Sequence, residues 1–174
     1  TVPFTMTYVP SHLSEYDSRD PEQALADTEA FWSEWSGRAK IEGPWRDAVM
    51  RSLITLKALT YAPTGGIVAA PATSLPETLG GVRNWDYRFC WLRDATITLF
   101  AFMASGFTEE AKSWADWLHR SIAGSPEQVQ IMYGIGGERR LEEMTVDFLP
   151  GYQGAAPVRV GNAAATQLQL DVFG

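Results

Sequence analysis

Apolar and polar residues alternate over the first ten positions, TVPFTMTYVP, with the period of two that marks a strand, and the alternation stops at Pro10. A lone strand has no ladder partner. Either it docks on something outside the chain, or the chain starts inside a larger protein whose preceding sheet lies upstream; the second reading is favoured. From Asp20 the period becomes helical. Asp20 suits an N-cap, Pro21 the first turn and Glu22 the helix dipole, while Leu25, Phe31, Trp32 and Trp35 recur at helical spacing up to a stop at Gly37.

A second helix is predicted from Pro44, with Trp45, Val49, Leu53, Leu56 and Leu59 on one stripe, until Ala62 and Pro63 end it. Residues 62–91 form a long connection rich in Gly and Pro, too apolar and aromatic for a disordered linker. A third helix follows Asp94, carries Ile97, Phe100, Phe102 and Met103, and stops at Gly106. The fourth is expected to start at the cap Thr108, bury Ala111, Trp114, Ala115, Leu118 and Ile122, and end at Gly124. Residues 125–160 read as irregular, with a short strand at 129–133, and a fifth helix is predicted from about Asn162 through Leu168, Leu170 and Val172 to Gly174. Short loops alternating with long ones describe helical hairpins side by side, with the long loops on one face. That is the plan of a helical toroid, in part.

Composition narrows the chemistry. Among 174 residues, 14 Lys plus Arg face 21 Asp plus Glu, for a net charge of −7, and no basic block is present. Such a chain offers no electrostatic footprint for nucleic acid or an anionic membrane, and it holds no apolar run near the roughly 18 residues of a membrane span. One cysteine, Cys90, and two histidines, His12 and His119, make an internal disulfide impossible and a zinc site a poor expectation. No cofactor is implied. The unpaired cysteine favours the cytoplasm. Seven Trp and six Tyr exceed what a core of this size requires, and such amphipathic rings suit a polar ligand with apolar faces.

The rings concentrate in residues 84–95, NWDYRFCWLRDA, where Trp85, Tyr87, Phe89 and Trp91 alternate with Asn84, Asp86 and Arg88. An extended segment would show one aromatic face and one polar face. Arg93 and Asp94 follow where the helix begins. Sugars present flat C–H faces ringed by hydroxyls, so aromatic platforms beside a guanidinium fork and a carboxylate suit them. A purely structural use is the competing reading: Asp94 as a helix cap, Arg93 paired to a carboxylate, and the rings as core.

The strings NWDYRFCWLRDA, GYQGAAPVRVGNAAATQLQLD at 151–171 and TYVPSH resemble bacterial members of glycoside hydrolase family 15, the glucoamylases and related trehalases. The resemblance implies an all-α fold, an incomplete (α/α)6 barrel or six-hairpin toroid, preceded by the last strand of an N-terminal β-sandwich. Residues 1–19 would be the end of the sandwich and a linker, 20–43 a linker helix, and 44–174 the first part of the catalytic barrel. It also implies inverting hydrolysis that releases glucose from the non-reducing end of α-glucosides. Tyr87, Trp91, Arg93 and Asp94 match the family's pocket for the terminal glucose, Arg93 and Asp94 holding hydroxyls while Tyr87 and Trp91 wall the scissile bond. Tyr152, Gly154 and Arg159 match the loop bordering the next subsite, with Tyr152 in place of a Trp seen in fungal relatives.

An inverting glycosidase needs a carboxylic acid and a carboxylate about 6.5–9.5 Å apart. By the resemblance both glutamates fall beyond residue 174, so no catalytic residue is assigned and the segment alone is expected to be inactive. Glu138, Glu142 and Glu143 in GERRLEE have the pattern of a solvated or salt-bridged loop. Asp147 and Asp171 are likewise not assigned to catalysis. His119, near a helix end, suits a dipole contact, and Cys90 a small buried position. The expected partners are an α-glucoside or α-glucan substrate and the remainder of the same polypeptide. An α-glucan-cleaving, glucoamylase-like enzyme is the first reading and a trehalase the alternative; a non-catalytic helical interaction module is the alternative of another class, although the two long loops share no repeat.

Overall fold

The computed structural model describes residues 2–13, 19–122 and 124–172, without the side chain of Asp171. The chain divides into two units, residues 1–39 and 40–174. In the first, residues 2–13 hold no ladder, and the predicted alternation leaves Val2, Phe4, Met6 and Tyr8 exposed. Alternation alone makes no strand without a neighbour to pair with. Helix α1, Pro21–Gly37, starts as its signals predict: Asp20 Oδ1 accepts the Gln23 N–H at 2.9 Å and proline occupies the first turn. Phe31, Trp32 and Trp35 stack edge to face along it, with centroids 5.3 and 6.1 Å apart.

The second unit holds α2 (Arg46–Ala58), α3 (Leu92–Ala104) and α4 (Thr108–Ser121), with two pairs of two-residue strands. Strand β1 (Cys90–Trp91) pairs antiparallel with β2 (Met132–Tyr133), and β3 (Met144–Thr145) with β4 (Arg159–Val160). The unit is helix-dominated, as expected. Helix α2 starts at Arg46, because residues 43–45 are used in a turn whose Gly43 has φ +103°. Helix α3 begins two residues before Asp94. The Leu92 N–H donates to Ile131 O at 3.0 Å, so β1 runs straight into the helix and places Arg93 and Asp94 in its first turn. Asp94 is therefore not a cap. Nor is Thr108, since Phe107 holds the cap position of α4.

Helices α3 and α4 form a hairpin around Gly106, whose φ of +89° reverses the chain. Ala95, Leu99, Trp114 and Trp117 pack with Ile67, Cys90 and Tyr133 in one core. The Trp117 indole N–H donates to Ile135 O at 3.0 Å, which satisfies it inside that core. Helix α3 is apolar on more than one face: Phe102 is buried, whereas Ile97, Phe100 and Met103 remain exposed.

The predicted fifth helix is absent from the described residues. Two 3-10 turns, Ala163–Thr166 and Leu170–Val172, stand there, separated by an extended Gln167 with ψ 147°. A short helix depends on packing its apolar stripe, and Leu168 and Leu170 are 76% and 79% exposed, so that support is lacking. The long connection at 62–91 is ordered by its own backbone. Ala69, Ala70 and Ser74 N–H groups donate to Phe89, Tyr87 and Trp85 carbonyls at 2.9, 3.0 and 2.9 Å, so the aromatic segment lies against residues 69–74.

Candidate functional site

Residues 84–87 alternate with the polar side inward, and beyond them the alternation fails: Arg88 is exposed, and Cys90 and Trp91 are both buried, Trp91 in a core with Ile131, Met132 and Leu141. Asn84 and Asp86 are buried, while Trp85, Tyr87 and one edge of Trp91 line a groove of about 260 Å³ with Glu143, Asn162, Ala163, Ala164 and Gln167. Phe89 departs from the pattern and lines a separate recess with Arg88, Glu138 and Arg140. Asp86 and the Asn84 amide nitrogen have partners from distant segments, whereas Asn84 Oδ1 is buried with none among the described residues. Asp86 accepts from Arg88 Nε at 2.9 Å and Nη2 at 2.8 Å, and its Oδ2 also accepts the Gly161 N–H at 3.1 Å. The Asn84 amide donates to Pro157 O at 3.3 Å.

Burial by itself pushes the Asp86 carboxyl up, but the Arg88 hydrogen bonds and charge, with the Gly161 N–H, outweigh it and hold it below its ordinary value. Asn162 completes the tie between the two walls. Its Nδ2 donates to Asp86 O at 2.9 Å, while its Oδ1 accepts the Ala164 N–H at 2.9 Å and caps the 3-10 turn that forms the opposite side of the groove.

Of the residues expected at the first sugar, Tyr87 and Trp91 share the groove, and Arg93 and Asp94 stand in the α3 turn next to Trp91. Arg93 lies over the Trp91 ring at 5.7 Å, donates to Gln169 Oε1 at 3.4 Å and approaches Asp94 Oδ2 to 3.3 Å. That approach lacks hydrogen-bond geometry. Asp94 Oδ2 and Trp91 Nε1 are buried polar atoms with no hydrogen-bond partner among the described residues. Burial pushes the Tyr87 phenol up, and the negative charges of Glu77 and Asp94 push it further, which keeps it a protonated donor.

Arg159 stands at the Trp85 end. Its guanidinium lies 4.5 Å from the Trp85 ring, donates to the Val82 and Asn84 carbonyls at 3.1 Å each, and pairs with Glu143 through Nε at 3.2 Å. Tyr152 is not among the groove's lining residues; it is 53% exposed on the turn Tyr152–Gly154, where Gln153 and Gly154 have φ of +50° and +75°. Glu143 thus makes the salt bridge its loop pattern suggests, and it also faces the groove. Glu138 accepts the Gly136 N–H at 3.0 Å. Cys90 is buried in the α3–α4 core, and desolvation pushes its thiol up to about 12. Asp171 falls outside the described side chains. No cluster of three potential metal ligands exists among the described residues, and none of the described helices is long and apolar enough to cross a membrane.

Sequence reasoning missed Asp86 and Asn162 as the tie between the walls. The sequence carries a signal for Asn162, a cap-type residue before AAAT, and the turn it caps is a 3-10 turn rather than the start of a longer helix.

Flat rings and the Glu143 carboxylate line one groove, Arg159 is paired to that carboxylate, and Arg93 and Asp94 follow Trp91 in the chain, a set of groups suited to a polyhydroxylated ligand because each hydroxyl both donates and accepts. The chain belongs to the glycosyl hydrolases family 15, whose sequence model matches residues 43–174. It is 43% identical over 151 residues to a trehalase of Mycolicibacterium smegmatis, with 84% of this chain and 23% of that protein covered. A trehalase of Mycobacterium tuberculosis is 43% identical over 152 residues, with 84% and 22% covered, and one of Thermoplasma volcanium 41% over 150 residues, with 86% and 24% covered. The chain therefore spans about a quarter of the length of these curated relatives. No solved structure matches it.

Proposed function

We propose that the full-length protein containing this chain is a trehalase, an inverting glycoside hydrolase, and that residues 44–174 supply one wall of its sugar pocket within an (α/α)6 barrel. Trehalose replaces the α-glucan of the first sequence reading because the relatives matched are named trehalases. Family membership likewise favours a hydrolase over an interaction module.

The observation that carries the reading is the placement of Arg93 and Asp94 in the first turn of α3, directly after Trp91, which lines one groove with Trp85 and Tyr87, within a segment matched by the family model. Aromatic faces suit the C–H faces of a sugar, and a guanidinium beside a carboxylate suits its hydroxyls. In this reading Arg93 and Asp94 hold the hydroxyls of the first glucose, and Tyr87 and Trp91 wall its ring. Tyr152 and Arg159 border the second. The acid that protonates the leaving oxygen and the base that activates water lie outside residues 1–174, so this segment alone is expected to give no turnover.

Trehalose joins two α-anomeric carbons, so inversion at one of them yields one β-glucose and one α-glucose. NMR of the first products from the full-length protein reads this directly. Trehalose cleavage with equal initial anomers is expected, and Arg93→Ala or Asp94→Ala should lower kcat/KM by about 100-fold, the scale of a charged hydrogen bond. Hydrolysis of maltose without hydrolysis of trehalose would overturn the reading.

A further inference from the structure

The groove has two chemically different ends. At one, Trp91 adjoins Arg93 and Asp94. At the other, Trp85 lies under Arg159, which is paired to Glu143. Six residue steps separate Trp85 from Trp91, and at about 3.3 Å per step the segment reaches at most about 20 Å. That length is ample for two pyranose rings. Glu143 is the one charged side chain among the groove's lining residues, and it meets the Ala163 N–H on one side and Arg159 on the other.

Its carboxylate is held and still has capacity to spare. Oε1 takes the Arg159 Nε at 3.2 Å, and Arg159 is itself anchored by two backbone carbonyls and the Trp85 ring. Oε2 accepts only a long bond, 3.4 Å, from the Ala163 N–H. A carboxylate offers about four acceptor positions, so each oxygen retains one for a hydroxyl. Two adjacent sugar hydroxyls match that spacing, as a guanidinium fork would from the other direction.

We infer that Glu143 is a specificity residue that accepts hydroxyls of the second sugar ring, and so selects a disaccharide over a glucoside with a small leaving group. The inference rests on the trehalase reading. Arg159 and Trp85 set the carboxylate in place, and the family of aromatic walls at Tyr87 and Trp91 serves the first ring. Glu143 takes no part in proton transfer.

The test compares trehalose with α-glucosyl fluoride, whose fluoride leaving group has no second ring, in the full-length protein. Glu143→Gln should lower kcat/KM for trehalose by about 10-fold or more, mainly through KM, and change that for the fluoride less than about 3-fold. Glu143→Asp, which keeps the carboxylate, should recover part of the trehalose activity. Equal losses on both substrates, or no loss on either, would overturn the inference while leaving the trehalase reading intact. A wild-type protein that cleaves the fluoride and not trehalose would overturn the trehalase reading, and the inference with it.

Discussion

Asp86 Oδ2 accepts the backbone N–H of Gly161 at 3.1 Å, across 75 residues of chain, and this bond closes the aromatic segment onto the turn that carries Asn162. The carboxylate is fully buried, whereas its partner Arg88 is half exposed. Removing the carboxylate strands the Gly161 donor in the interior while water can reclaim the guanidinium. Asp86→Ala should therefore cost about 2–3 kcal/mol in urea-induced unfolding. A loss near zero would mean that the two walls are held by other contacts.

The same residue makes a prediction about acid. Its native pKa lies below the ordinary 3.8, so the unfolded chain binds its proton first as the pH falls. The stabilisation is complete above 3.8 and is lost as the pH drops through the depressed native value. Asp86→Asn removes this titration, and its unfolding free energy should fall less steeply than that of the wild type in the window under 3.8. Parallel pH profiles for the two proteins would contradict the assignment.

Cys90 should be inert. With its thiol pushed up to about 12 by burial, almost no thiolate exists at neutral pH, and the core of Ile67, Ala95 and Trp117 denies access to reagents. Iodoacetamide should leave the native protein unmodified and alkylate Cys90 in denaturant, as read by intact mass. Rapid native labelling would show that the α3–α4 core opens readily.

Gly161 has φ +84°, and a Cβ there would press against the Glu142 carbonyl. An L side chain is disfavoured in that conformation by about 1–2 kcal/mol before the clash is counted. Gly161→Ala should lower Tm and, by displacing the backbone of Glu142 and Glu143, weaken sugar-induced tryptophan quenching in the full-length protein. By comparison, alanine at Gly37, where a Cβ meets nothing within 4 Å, should leave both readouts nearly unchanged.

Local patterns settled much of this protein. The 3.6-residue stripes identify α1 to α4 in the primary sequence, because a helix closes its hydrogen bonds within its own span, but only α1 starts at its predicted cap and proline; α2, α3 and α4 begin close to the predicted starts and not at them. Alternation likewise marks the two faces of residues 84–87, and the place of Cys90 off the aromatic positions fits its burial. Tertiary structure decided which face turned inward. Asn84 and Asp86 can be buried only because Pro157, Gly161 and Asn162, more than 70 residues away, supply partners, and no local rule contains that distance. It also decided against a fifth helix, since the exposed Leu168 and Leu170 find no packing surface. Glu143 and Arg159 read alone as members of charged or glycine-rich loops. Their meeting across β3 and β4, under the Trp85 ring, is a long-range contact, and long-range contacts are where this groove acquires its charge.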